Sequence, residues 1–132
     1  MAYSFGFDSS QRVFLIRFDG QVTDEQMHEY YRAAYEPMKR LQPRASISDF
    51  SRVTDLQISP ETVRRLAHSY IVMPASNARL VVAPSPHVYG LARMFQIEGE
   101  PKRTNLHVVT TLAEAFEFLG VQDLQFDPIP EP

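Results

Sequence analysis

The chain has no cysteine, which excludes disulfides, thiolate catalysis and zinc–sulfur sites. That absence suits a reducing compartment, and a soluble cytoplasmic protein is expected. No run approaches the roughly 18 apolar residues that a membrane span needs, and the first residues lack a basic-then-apolar signal pattern. Glycine is scarce, with five in 132 residues, and no G-x-G-x-x-G or P-loop spacing occurs. None of the serines sits in a G-x-S-x-G context. His28, His68, His87 and His107 are scattered without metal-type partners at i+3 or i+4. Neither a metal nor an organic cofactor is therefore expected. A net charge of −3 leaves no electrostatic footprint for nucleic acid.

An apolar fraction of 44% and a charged fraction of 22% describe an ordinary globular domain. At this length one domain buries about two-thirds of its unfolded surface. All thirteen Lys and Arg lie at or before Arg103, whereas Glu114, Glu117, Asp123, Asp127 and Glu131 follow it. The Pro-rich end, with Pro128, Pro130 and Pro132, is expected to form no regular element beyond Leu124. The division expected is an α/β domain over residues 1–120 and an acidic tail over 121–132.

Residues 3–7 alternate aromatic with small side chains, and residues 12–18 are a dense β-former run. Asp8-Ser9-Ser10-Gln11 between them is turn chemistry, so the first two strands form a hairpin ending at Asp19-Gly20. Thr23 and Gln26 have capping-box spacing ahead of a helix with Met27, Tyr30 or Tyr31, Ala34, Met38 and Leu41 on one stripe. Pro37 is expected to bend or end that helix near Glu36. Residues 44–50 form a third strand, and residues 51–58 a connection. Ser59-Pro60-Glu61 starts the next helix, with Val63, Leu66, Ala67, Tyr70 and Ile71 inward. Residues 78–83 form a fully apolar strand apart from Arg79. Ser85-Pro86 repeats the helix start, with Val88, Leu91, Ala92 and Phe95 inward and Gly99 at the exit. Residues 105–109 are the last strand. Thr111 and Glu114 cap a final helix, which stops at Gly120.

The order β-β-α-β-α-β-α-β-α predicts a single α/β domain. Its sheet should be mainly parallel, with one antiparallel edge strand and helices packed on it. The second and fourth strands, nearly all apolar, should be central.

Two segments carry a family likeness. Tyr89-Gly90-Leu91-Ala92-Arg93-Met94-Phe95 and Ala113-Glu114-Ala115-Phe116-Glu117-Phe118-Leu119 resemble the uncharacterised SpoIIAA-like branch of the STAS/SpoIIAA-like domains, over most of residues 12–120. The resemblance implies a non-catalytic regulatory or protein-interaction module. In the phospho-regulated antagonists of that family, the third strand leads to a D-S-S-G loop whose serine is phosphorylated. Here the matching stretch ends Gln57-Ile58-Ser59-Pro60. Ile58 takes the acceptor's place, which leaves Ser59 as the phosphorylation candidate and an N-cap as its plain role.

Tyr89, Arg93 and Gln96 make an outward i, i+4, i+7 stripe of types favoured in interfaces. A homodimer or other small homo-oligomer is expected from the surplus aromatics, Tyr30, Tyr31 and Tyr35 included. The loops at 51–59 and 83–86 leave strand ends and should lie side by side. Tyr89, Arg93, Ser51, Ser59 and Ser85 thus form the expected partner or ligand surface, with no catalytic residue. The alternative is a small apolar or lipid-like ligand in a cleft between the first helix and the helix of Tyr89.

Overall fold

Strand and helix alternate as the patterning requires. A computed structural model of the chain describes residues 2–69, 73–100 and 102–130. Its elements are β1 (Tyr3–Asp8), β2 (Val13–Thr23), α1 (Asp24–Leu41), β3 (Ala45–Gln57), α2 (Pro60–Ala67), β4 (Ala78–Val82), α3 (Pro86–Gly99), β5 (Leu106–Val109), α4 (Leu112–Leu119) and β6 (Asp127–Ile129). They build one six-stranded sheet of order β5-β4-β3-β2-β1-β6. Strands β2 to β5 are mutually parallel, while β1 and β6 are antiparallel additions at one side.

Period-two alternation sorts the side chains between two cores. Phe14, Ile16 and Phe18 of β2 and Val81 of β4 face α1, α2 and α3. Val13, Leu15, Ile47, Leu80 and Val82 face α4 and Val121. Both expected capping boxes form, at Thr23–Gln26 and Thr111–Glu114. Ser59 and Ser85 cap α2 and α3 as expected. Gly120 closes α4 with φ of 68°, a left-handed conformation that costs glycine little. Tyr70 and Ile71 lie outside the described residues.

Three expectations are corrected. First, Gly20 does not end the second strand, and residues 51–57 are not a loop. Strand β2 runs to Thr23 and β3 to Gln57, paired in parallel past the end of β4. Gly20 adopts φ of 69° beside register shifts in this pairing. A glycine at a bulge bends a strand instead of stopping it. The bend turns Val22 and Leu56 into the core. Second, α1 does not end at Glu36 but passes through the buried Pro37 to Leu41. Met38 and Leu41 pack against the core, and the Gln42 N–H closes the last turn on the Met38 carbonyl at 3.0 Å.

Third, a regular element does exist beyond Leu124. Strand β6 pairs with β1 from Phe5↔Ile129 to Phe7↔Asp127. Proline at 128 is tolerated because β6 is an edge strand, where a missing donor is harmless. Phe126 lies directly on Gly6, where an added Cβ would stand 3.0 Å from the Phe126 Cβ. The Asp8 carboxylate fastens the segment by accepting the Gln125 N–H at 2.7 Å, together with the Gln11 N–H and the Ser10 hydroxyl. Bonds from the Gln11 and Gln125 N–H groups hold that carboxyl below its usual value against the opposing effect of burial. Deleting residues 123–132 removes Leu124, Phe126 and Ile129 from their packing and should cost about 2 kcal/mol or more. Urea unfolding checks this, and an unchanged midpoint would mean that the segment is loose.

Candidate functional site: an apolar cavity beneath three helix starts

The overshoot of β2 and β3 delivers α1 and α2 from adjacent points, because Thr23 pairs with Gln57. The Asp24 carboxylate in the first turn of α1 accepts the Ser59 N–H at 2.8 Å. The Ser59 Oγ accepts the Thr62 N–H at 3.1 Å, and its hydroxyl reaches Thr62 Oγ1. Burial alone would raise the Asp24 carboxyl. Bonds from the Ser59 N–H and the Thr62 and Ser59 hydroxyls outweigh that and hold it below the ordinary value. The start of α3 joins the group, since His87 Nε2 lies 3.2 Å from the Leu56 carbonyl.

Of the residues expected to form a surface, Ser59 and Ser85 are half-buried and occupied as caps. Ser51 is exposed, its N–H bound to Asp49 Oδ1 at 2.9 Å. Asp49 is buried and lies 3.7 Å from Arg17 Nε. Tyr89 and Arg93 are exposed on α3, and the Arg93 guanidinium donates to Gln96 Oε1. Gln96 is not part of an outward stripe. It is half-buried, and its Nε2 donates to the Leu106 carbonyl at 2.6 Å, tying α3 to β5.

A cavity of about 140 Å³ lies between the sheet and α1, α2 and α3. Tyr30, Tyr31 and Tyr35 all line it, Tyr30 and Tyr31 half-buried and Tyr35 exposed. Tyr30 and Tyr31 meet edge to face, their ring centres 4.9 Å apart. Leu91 and Phe95 of α3 form another wall. The floor runs along β3 from Ser46 through Ser48 to Phe50, four residue steps or about 13 Å of extended chain. Phe50, Leu56 and Val88 therefore mark the carboxyl ends of the strands, and Ser46, Arg79 and Arg103 the opposite end.

Sequence reasoning missed Arg79 and Arg103. The signal was one arginine inside an otherwise apolar strand. Arg79 is 8% and Arg103 5% exposed.

This architecture has solved counterparts. The phosphorylated form of the Bacillus cell fate determinant SpoIIAA superposes with a TM-score of 0.56 and 18% identity, over 89% of this chain and 99% of that one. The unphosphorylated anti-sigma factor antagonist SpoIIAA gives 0.51 and 15%, over 92% and 100%. The chain has the SpoIIAA fold. No family model and no curated protein matches the sequence. On this SpoIIAA-like frame, residues 49–60 hold the third strand's end and the α2 cap. Among the described residues no helix is long and apolar enough to cross a membrane.

The Asp24 group makes a pH-dependent prediction. A lowered folded value stabilises the fold above the unfolded carboxyl value of about 3.9, and the contribution is lost as pH falls through the folded value. Asp24→Asn should lower stability at pH 7 and make little difference near pH 2. Ser59→Ala should cost about 1 kcal/mol through the lost cap. Chemical denaturation at both pH values checks the pair, and equal Asp24→Asn penalties at the two would contradict the assignment.

Proposed function

We propose that this chain is a regulatory protein-interaction module without a catalytic step. The observation that carries the proposal is the SpoIIAA fold across nearly its whole length, shared with a protein named as an anti-sigma factor antagonist. The α3 surface supports it. Tyr89 is 38% and Ile97 62% exposed, with Arg93 between them, so aromatic, aliphatic and guanidinium groups follow one another along a single helix. These types dominate interface energetics, apart from the aliphatic one. The described residues lining the cavity include no carboxylate or imidazole, so its wall supplies no obvious general base.

Ser59 is the proposed point of phosphorylation. A phosphate there would displace the α2 cap and bring a second negative charge against Asp24, which disrupts instead of docking. Modification would therefore act by loosening the junction of α1 and α2. Homo-oligomerisation belongs to the same proposal, through Tyr89 and Ile97 and not through the α1 tyrosines. A concentration-independent mass of 15.1 kDa in light scattering would count against it.

The direct test is the double variant Tyr89→Ala, Arg93→Ala. Both residues are exposed, so stability should stay within about 0.5 kcal/mol of the parent. A partner cross-linked by the parent protein in its own cell extract should be lost with the variant. Equal recovery by both proteins would move the surface elsewhere.

A second reading rests on the cavity itself. Its size and apolar walls suit a small apolar ligand held between α1 and α3, which would make the module responsive to that ligand.

A further inference from the structure

Two buried guanidinium groups stand at one end of an otherwise apolar cavity. Burying a charge is expensive unless it is paired, so their company matters. The Arg79 Nη atoms donate to carbonyls of Met73, Pro74, Ala75 and Asn77, the shortest at 2.7 Å. Every partner is neutral. No described carboxylate lies within ion-pair distance of Arg79, and its Nε donates to none of the described residues. Arg103 bonds to the carbonyls of Leu66 and Ala67 and lies over the Phe95 ring, 5.0 Å from its centre. Gly99 permits that position, since a Cβ there would meet the Arg103 stem at 2.9 Å. Burial first, and then the charge of Arg103, disfavour the protonated form of Arg79. An anion between the two would relieve both effects.

The rest of the lining offers a matching body. Tyr31 and Met38 of α1, Leu91 of α3 and Val81 of β4 are apolar or aromatic, and Ser46 is the nearest hydroxyl-bearing strand residue to the arginine end. A volume of about 140 Å³ is close to that of an engineered protein cavity of about 150 Å³ that takes up benzene. We propose that the cavity binds a small monocarboxylate, its carboxylate beside Arg79 and Arg103 and its phenyl-sized apolar body between α1 and α3. This rests on the apolar-ligand reading and adds the charge of the ligand to it. Because the Arg79 Nη atoms already donate to the carbonyls of the turn, the guanidinium acts on the carboxylate through its charge, which an arginine keeps even when buried.

The test compares phenylacetate with its neutral isostere phenylacetamide by calorimetric titration of the full chain. The parent should bind phenylacetate at least tenfold more tightly. Ala34→Leu, which fills the cavity from α1, should abolish binding of both. Arg79→Gln should erase the preference for the acid, and Arg79→Lys should keep part of it. If Arg79→Gln does not fold, the acid–amide comparison on the parent still decides. Equal affinity for the two probes would overturn the carboxylate assignment while leaving the apolar-ligand reading intact. Failure of both probes to bind the parent at millimolar concentration would overturn both.

Discussion

The parallel pairing of β2 with β3 beyond the last residue of β4 is the constraint on which the α1 side of the molecule depends. Where β4 stops opposite Asp49, a shorter β3 would leave a loop at the usual ligand-binding edge of a parallel sheet. Instead the pair continues to Thr23 and Gln57 and bends through Gly20, so that Val22 and Leu56 become core residues. That continuation carries α1 away from the strand ends and delivers it beside α2, where Asp24 and Ser59 lock the two starts together. The space left between α1 and the sheet is the cavity. The open space thereby lies against the sheet face and not at the strand ends.

The opposite end of the cavity is governed by charge. An arginine in the middle of a buried strand must bring its own solvation, and the turn of residues 73–77 wraps its carbonyls around Arg79 to provide it. Arg103 is treated alike by the end of α2. Neutral carbonyls satisfy hydrogen bonds without cancelling charge, so Arg79 keeps its positive potential in a region where the low dielectric strengthens it. Replacing both arginines by apolar residues would have been the cheaper way to build a core. Their presence points to a use for the charge.

Most of the fold was legible in the sequence because the local signals agreed with one another. Ser59-Pro60 and Ser85-Pro86 start helices, Thr111 and Glu114 cap one, and Gly120 stops it. Each is a short-range chemical rule. What escaped depends on distant partners. Residues 51–57 are polar enough to resemble a loop and become a strand only because residues 19–23 pair with them. Residues 127–129 hold two acid-or-proline breakers and pair only because β1 offers an open edge beside Gly6. Pro37 is overridden by the burial of Met38 and Leu41 on either side of the final turn. The candidate site divides in the same way. The exposure of Tyr89 and Arg93 was legible from helical spacing, whereas Arg79 and Arg103 are brought to one end of the cavity only through the crossover of α3.

An apolar void under α1 is the central feature of this arrangement. A crystal of the full chain under xenon pressure tests this most directly, since xenon occupies dry cavities of this size without needing any particular chemistry. The account predicts a xenon peak ringed by Ile16, Tyr31, Val81 and Leu91. The absence of xenon, with Tyr31 and Met38 collapsed against Val81, would contradict it.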